Sequence, residues 1–306
     1  MTKFALLSYN TNNLGDEIQS IAARQFLPRV DLLIDRDEWT GGPVAADDEF
    51  KIVLNGWFTR NPGKWPPPAF LSPLLISMHI TRERFKPAAI TAPSEVLMRG
   101  ESLDYLKRHQ PIGCRDLATA ELLEHGGVQS YFSGCLTLTL GAGGPAQRRG
   151  YVCAVDLSDE LYQRLARRAG GPIVRLQHRD AGGGTFERRS AKAGKLLGLY
   201  AHAKCVVTTR LHCALPCLAF GTPVLFINEA PDQYRLSGLM DLMRSCDAES
   251  FRRDAVDFDF EDPAPNNPAY LSLRETLIGK VQSFTATPMQ PYCPAAPAET
   301  DEFAAS

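Results

Sequence analysis

The sequence lacks the features that would place it in a membrane or on nucleic acid. No apolar run in the 306-residue chain approaches the length that crosses a bilayer. The opening segment, Met1–Ser8, is too short for the apolar core of a signal peptide, and no cleavage site follows it. Lys and Arg number 33 against 35 Asp and Glu, so composition gives no bias toward nucleic acid or anionic lipid. We therefore expect a cytoplasmic protein with no transmembrane segment and no nucleic-acid partner.

Several catalytic and cofactor motifs are also missing. No G-x-G-x-x-G follows the first predicted strand, and no P-loop, G-x-S-x-G or H-E-x-x-H occurs, which argues against dinucleotide enzymes, P-loop kinases, serine hydrolases and zincins. None of the eight cysteines forms a C-x-x-C pair, and most lie within apolar runs. Such cysteines are typical of reduced, buried side chains rather than disulfides or zinc ligands. We expect no metal and no cofactor.

What the sequence does contain is a repeated alternation of strands and helices. This pattern predicts an α/β protein with two Rossmann-like domains and parallel sheets, spanning residues 1–142 and 150–284. A segment rich in Gly and Pro separates them, and the last predicted helix, Leu271–Phe284, can pack back on the first domain. Residues 285–306, rich in Pro, Ala and acidic residues, are predicted to be disordered. The cleft between two such domains is a natural place for a ligand.

The boundaries of the elements follow from apolar runs and from turn residues. The predicted strands are Phe4–Ser8, Lys51–Leu54, Leu74–Ile80, Pro111–Cys114, Val128–Phe132, Tyr151–Val155, Ile173–Gln177 and Thr222–Ile227, together with the strand that opens at Val206. One predicted helix begins near Asp16, and a helical stretch follows the glycine loop and runs through Tyr200. The other predicted helices cover Leu117–His125, Asp159–Ala169, Gln233–Cys246 and Leu271–Phe284.

The most informative segment is Val206–Ile227, which is typical of a strand, a tight turn, a helix and a second strand. Arg210 and His212 lie in the turn, at the sheet edge where open α/β sheets bind ligands. A fixed cation beside a titratable imidazole predicts an anion site with acid–base chemistry. An ordinary structural role, with Arg210 paired to a carboxylate and His212 packed under the helix, fits the local pattern equally well.

Arg115 repeats this arrangement, because it too follows a short apolar strand and precedes a helix. Two such arginines in one cleft would hold a small doubly anionic molecule, since each guanidinium binds a carboxylate or phosphate with two hydrogen bonds. A salt bridge from Arg115 to the adjacent Asp116 is the alternative.

The turn after the first strand carries Asn13, Gly15 and Asp16. Gly15 permits close approach of a ligand, and Asp16 with Gln19 resembles a capping box in which Asp16 is the N-cap. Because Asp16 would then occupy the free N–H groups, this turn favours a hydroxyl-bearing acceptor over an anion, or else it is a plain capped turn. Asn55 and Gly56, where the strand Lys51–Leu54 is predicted to stop, are further candidates for substrate binding.

Taken together, these segments resemble the polysaccharide pyruvyl transferase family, in order, from about residue 5 to residue 240. The resemblance rests on Asn13-Leu-Gly-Asp16 with Gln19, Gly113-Cys-Arg-Asp116 with Thr119, Ser133-Gly-Cys-Leu-Thr-Leu-Thr-Leu140, and Thr209-Arg-Leu-His-Cys-Ala214 through Gly221-Thr-Pro-Val-Leu225.

The resemblance implies a GT-B-like pair of domains with the active-site cleft between them. It also implies an enzyme that moves a pyruvyl group from phosphoenolpyruvate onto a pair of saccharide hydroxyls as a ketal, in the synthesis of a cell-surface or exported polysaccharide. The Arg-Leu-His motif that the family uses for phosphoenolpyruvate falls on Arg210, Leu211 and His212, and an upstream arginine falls on Arg115. The expected partners are phosphoenolpyruvate and a saccharide or glycan acceptor.

Two other functions remain compatible with the sequence. One is a nucleotide-sugar glycosyltransferase on the same architecture, because a fold does not fix a function. The other is a non-catalytic protein that binds a glycan or phosphate. The complete Arg-Leu-His motif favours the enzyme.

Overall fold

Two parallel β-sheets form the framework of the protein. The computed structural model describes residues 2–84, 91–141, 146–180, 184–229 and 234–298. The first sheet contains β1 (Lys3–Ser8), β2 (Leu32–Asp35), β3 (Phe50–Phe58), β4 (Leu71–Ile80), β5 (Ile112–Cys114) and β6 (Ser130–Phe132). The second contains β7 (Val152–Val155), β8 (Ile173–Leu176), β9 (Cys205–Thr208), β10 (Val224–Asn228) and β11 (Ser245–Asp247).

Helices connect the strands. They are α1 (Leu14–Arg24), α2 (Pro93–Leu97), α3 (Gly100–Arg108), α4 (Leu117–His125), α5 (Asp159–Arg168), α6 (Phe186–His202), α7 (Leu211–Phe220), α8 (Ala248–Arg252) and α9 (Leu271–Thr285). Short 3-10 turns cover Pro62–Lys64, Leu136–Thr139, Tyr234–Leu236, Met240–Leu242 and Pro268–Tyr270. Among the residues that the structure describes, no helix is long and apolar enough to span a bilayer.

Both sheets reverse their winding at one point. Their orders are β2-β1-β3-β4-β5-β6 and β11-β10-β9-β7-β8, and the strand pairs of both are parallel. Winding changes direction between β1 and β3 in the first sheet, and between β7 and β9 in the second. Open α/β sheets bind ligands outside the carboxyl ends of the strands at such a point. The predicted α/β class with two parallel sheets is confirmed by these strand orders.

The structure corrects the predicted end of β3. This strand does not stop at Leu54 but continues through Asn55 and Gly56 to Phe58, with a shift of register against β4 between Leu54 and Gly56. Gly56 has φ +116°, and a Cβ atom there would lie 2.7 Å from Gln19 Oε1. The turn signal of Asn-Gly therefore marks a bulge inside the strand rather than its end.

The helix predicted over Gln233–Cys246 is wrong. Where the structure describes this segment, it forms two 3-10 turns and the edge strand β11. Apolar residues do recur at helical spacing there, but Ser237 near the start of the segment hydrogen-bonds to α4 of the first domain, and its end pairs with β10 in the second sheet. Strands β2 and β11 and helices α2, α3 and α8 were not predicted.

Residues 286–298 differ from the disordered tail predicted from residue 285. Their chain packs on α1, where the Gln290 N–H donates to the Gln25 carbonyl at 2.7 Å and the Tyr292 N–H donates to Gln25 Oε1 at 2.8 Å. The rest of the predicted tail, residues 299–306, lies outside the described residues, as do residues 142–145 of the predicted linker. Helix α9 contacts the first domain, since Lys51 Nζ donates to the Phe284 carbonyl at 2.7 Å.

The two domains share one hydrophobic core. Helix α1 of the first domain packs against α6 and α7 of the second, and a single cluster of buried side chains includes Leu6 and Ile18 on one side and Val155 and Leu197 on the other. Arg189 donates to Glu17 through Nε at 2.6 Å and through Nη2 at 2.9 Å, and both side chains are buried. The cleft above this contact is therefore held in one geometry by a packed interface.

Candidate functional site

Arg210 is held at the carboxyl end of β9 by a carboxylate from a neighbouring strand. The buried apolar strand Cys205–Thr208 ends in an extended Arg210 (φ −106°, ψ 123°), which is the residue before α7. Its Nε donates to Asp156 Oδ2 at 2.6 Å, and its side chain is about one third exposed. Arg210 therefore pairs with a carboxylate, which the purely structural interpretation of this residue predicted. It also lines the cleft.

Asp156 is the residue that orients this turn. It follows β7 and has φ +53°, a left-handed conformation that Asp tolerates better than most residues. Its carboxylate also accepts the His178 N–H at 3.2 Å, and its carbonyl accepts the Thr209 hydroxyl at 3.1 Å. The ends of β7 and β9, at the point where the second sheet reverses, are thereby tied together.

Helix α7 begins without a side-chain cap among the described residues. Its first turn carries Leu211 and His212, and the rest of the helix is buried until Gly221 ends it at φ +69°. The N–H groups of an uncapped first turn, with the positive end of the helix dipole, are a recurrent anion site.

His212 meets the first domain at Gly15. A Cβ atom at position 15 would lie 3.1 Å from His212 Nδ1 and 3.2 Å from His212 Cβ, which is closer than side chains ordinarily pack. Glycine at this position is therefore what lets the imidazole of the second domain approach the start of α1.

The surroundings of His212 disfavour the protonated form of its ring. Burial lowers its pKa well below the ordinary value, and the positive charge of Arg115 acts in the same direction. Its Nε2 is shielded from water and has no hydrogen-bond partner among the described residues. The ring is therefore neutral at pH 7.

The start of α1 is capped by Asn13, not by Asp16 as the sequence predicted. Asn13 Oδ1 accepts the Gly15 N–H at 3.1 Å, while Asp16 lies in the first turn and accepts the Thr11 hydroxyl at 2.8 Å. The second Asp16 oxygen lies 3.4 Å from Arg36 Nη1. Asp16 is thus a carboxylate on the cleft wall rather than a group spent on capping.

Arg36 is a buried cation that the sequence analysis did not find. Only 1% of it is exposed; it pairs with Asp37 at 2.8 Å, and its guanidinium lies over the rings of Tyr9 and Trp57 at 4.8 and 5.3 Å. Although burial opposes ionisation of Asp37, Arg36 and hydrogen bonds hold the pKa of this carboxyl below its ordinary value. The contact places charged and aromatic groups together on the first-domain wall.

Arg115 lies at the carboxyl end of β5, beside an Asp–His pair. Asp116 is the N-cap of α4 and contacts His79 Nδ1 at 2.7 Å, while Arg115 Nε lies 3.6 Å from the same carboxylate, too far for a hydrogen bond. Burial and the charge of Arg115 lower the pKa of His79 to about 4, although Asp116 opposes the shift. His79 is therefore neutral and donates from Nδ1, and the salt bridge considered for Arg115 and Asp116 is present but long.

These groups surround a cavity of about 200 Å³ between the carboxyl ends of the two sheets. It contains six of the nine predicted site residues: Asn13, Asp16, Arg115, Arg210, Leu211 and His212. Gly15 contacts the His212 ring, whereas Asn55 and Gly56 do not line the cavity. Instead, Asn55 Nδ2 donates to the Gln19 carbonyl at 3.0 Å, below α1.

Seven further residues line this cavity and were not predicted from the sequence. They are Arg36, Trp57, Arg60, Glu83, His178, Thr209 and Arg235. His178 has the characteristics of a surface residue in the sequence but is buried, and its Nε2 lies 2.8 Å from the Tyr200 hydroxyl. His178 follows the end of β8 just as Arg210 follows the end of β9. This position is the sequence signal by which His178 could have been predicted as a site residue. No group of three potential metal ligands occurs among the described residues.

The fold and the cavity define a two-domain α/β protein with a cation-lined cleft at two switch points. A family model for polysaccharide pyruvyl transferases matches residues 13–231, well over half of the chain. The protein belongs to the polysaccharide pyruvyl transferase family.

Three solved structures are similar to the chain at low sequence identity. A functionally uncharacterised protein of Klebsiella pneumoniae is 12% identical with a TM-score of 0.46, and the alignment covers 80% of this chain and 92% of that one. Two variants of the wall teichoic acid polymerase TagF are 9% identical with TM-scores of 0.40 and 0.39, covering 99% of this chain and 87% of theirs. No curated protein shows significant sequence similarity to the chain.

Proposed function

We propose that this transferase moves the pyruvyl group of phosphoenolpyruvate onto two hydroxyls of a saccharide as a cyclic ketal, in polysaccharide synthesis. The observation that carries the proposal is the meeting of Arg115, Arg210 and His212 in one cavity built by both domains. Arg210 and His212 belong to the Arg-Leu-His segment within the family match.

The second-domain side of the cavity suits the donor. Phosphoenolpyruvate carries a carboxylate and a phosphate, and guanidinium groups bind both with paired hydrogen bonds. Arg210 and Arg115 supply two such groups, and the uncapped start of α7 supplies N–H donors. Asp156 fixes the Arg210 guanidinium in advance, so less freedom is lost when the donor binds.

The first-domain side suits an acceptor that carries hydroxyls. Asp16 and Asn13 present oxygen acceptors there, and Trp57 presents an aromatic surface. Carboxylate and amide oxygens accept hydrogen bonds from sugar hydroxyls. This assignment places the hydroxyl pair next to the donor, with Gly15 between them.

The reaction then follows from these positions. A proton is added to the CH₂ carbon of the enol, C2 becomes an oxocarbenium-like centre, and one sugar hydroxyl attacks it. Phosphate leaves with the C2–O bond electrons, and the second hydroxyl closes the ring. One of the two hydroxyl protons replaces the proton that the acid gave to the CH₂ carbon, and the other leaves on the phosphate. His212 supplies or relays the first proton, and Arg210 stabilises the charge on the departing phosphate.

Binding of phosphoenolpyruvate is expected to take up a proton. Burial depresses the pKa of His212, and a bound anion raises it, so the ring gains a proton wherever the pH lies between the two values. At pH 8 the donor phosphate, with a second pKa of about 6, is already fully ionised and contributes little. Calorimetry at pH 8 in buffers of different ionisation enthalpy measures the uptake by the ring, which should fall as the pH is raised further and vanish in His212→Gln. Equal uptake in that variant would contradict the assignment to His212.

The direct test of function is incubation with phosphoenolpyruvate and candidate glycans. The expected result is release of phosphate together with a gain of one pyruvyl group in the mass of the glycan. The same incubations with nucleotide sugars test the glycosyltransferase alternative. Failure of phosphoenolpyruvate to bind at all, read as no thermal stabilisation of the fold, would refute the proposal.

A further inference from the structure

The segment Tyr234–Gly238, called the strap here, belongs to the second half of the chain but lies on the first domain. The Leu117 N–H donates to the Ser237 carbonyl at 3.1 Å, and the Ala118 N–H donates to Ser237 Oγ at 2.9 Å. These are the first two N–H groups of α4, which otherwise lack helical partners. The strap therefore completes the N-terminal end of the helix that follows Arg115.

Tyr234 fixes the other end of the strap. Its hydroxyl accepts the Arg82 N–H at 2.7 Å, and its ring stacks on His79 with centroids 5.7 Å apart and planes 24° apart. The Arg82 guanidinium lies 5.1 Å from the same ring. Tyr234 is thus attached to the end of β4, beside the His79–Asp116 pair that borders Arg115.

Arg235 lies between these two anchors and lines the cavity with Arg115, Arg210 and His212. Burial lowers the pKa of Arg235, and the charges of Arg115 and Arg210 lower it further, although Glu83 opposes them. Three positively charged guanidinium groups repel one another in this cavity, and a bound anion would offset that repulsion. Phosphoenolpyruvate, with its phosphate and carboxylate, meets that requirement better than a neutral sugar.

We propose that Arg235 is a third donor-binding arginine, delivered across the domain boundary by the strap, and that Tyr234 and Ser237 are its positioning residues. This inference rests on the proposed function, because it takes phosphoenolpyruvate as the donor. Arg235 lies four positions beyond residue 231, where the family match ends. The assignment therefore depends on the structure and not on the family motif.

The test is the dissociation constant of phosphoenolpyruvate for Arg235→Gln, measured by calorimetry on the full chain. Loss of a charged hydrogen bond predicts affinity weaker by about tenfold or more, with Arg235→Lys intermediate. The matched control is Arg244→Gln, whose guanidinium stacks on Phe258 at 5.5 Å and does not line the cavity; its affinity should stay within about twofold of wild type.

A second pair of variants tests the positioning role. Ser237→Ala removes the Oγ contact to α4 and should raise the KM for phosphoenolpyruvate by about fivefold, with kcat at saturating donor retained and Ser237→Thr restoring the KM. A merely structural role would lower the melting temperature and leave this KM unchanged.

The two failures can be told apart. If wild type binds phosphoenolpyruvate and Arg235→Gln binds it equally well, this inference is overturned and the proposed function stands. If wild type does not bind phosphoenolpyruvate, both the proposed function and the donor-binding role of Arg235 are refuted.

Discussion

Replacing His212 by glutamine is expected to lower kcat by about 10²–10⁴-fold, the range that positioned acids and bases contribute. Glutamine keeps a polar group of similar reach but cannot carry a proton. The affinity for phosphoenolpyruvate should change by only a few-fold, because Arg115 and Arg210 remain. Steady-state kinetics with an accepted glycan, together with donor calorimetry, separates the two effects.

The matched control is His125→Gln. His125 lies at the end of α4, where Nδ1 contacts the Glu121 carbonyl, and it does not line the cavity. Its replacement should leave both kcat and donor affinity unchanged. A His212→Gln enzyme with turnover within about threefold of wild type would remove the proton-transfer role and leave His212 as a packing residue.

Replacing Arg210 by lysine should weaken phosphoenolpyruvate binding by about 10- to 100-fold, even though the charge is conserved. Arg210 uses Nε for Asp156 while its guanidinium also lines the cavity, and an ammonium group cannot satisfy both at once. The expected signature is a raised dissociation constant for the donor, measured by calorimetry or by the concentration needed for thermal stabilisation.

Arg175→Lys is the corresponding control. Arg175 also pairs with a carboxylate, Asp159 at 2.5 Å, but this pair lies outside the cavity. Exposed pairs of this kind contribute little, so donor affinity should not change. If Arg210→Lys bound the donor as tightly as wild type, Arg210 would be a structural partner of Asp156 and the donor would have to lie elsewhere.

The parts of the site that the sequence predicts are those determined by local chain geometry. A buried apolar strand followed by a polar turn and a helix places Arg210, Arg115 and Asn13 at sheet edges, whatever the rest of the fold does. The sequence predicted Asp16 as the N-cap of α1, but Asn13 caps this helix. The carboxylate of Asp16 faces Arg36 instead.

The remainder depends on contacts between distant segments. Arg36 is twenty positions from Asp16, and no local pattern shows that their side chains meet in the interior. Arg235 was predicted within a helix, because Leu236, Leu239 and Met240 recur at helical spacing. The strap forms instead because Ser237 hydrogen-bonds to α4 and Tyr234 stacks on His79. Tertiary contacts of this kind override local propensity.

The core shared by the two domains has a consequence for how this protein unfolds and how it can be recombined. Helices α1, α6 and α7 pack against one another. Separating the domains would therefore expose apolar surface and break the buried ion pair between Glu17 and Arg189. The two halves should therefore melt as one cooperative unit, although their sheets are topologically independent. A chimera that exchanges acceptor specificity with a relative would have to keep these three helices from one parent and graft only the strand-end loops above them.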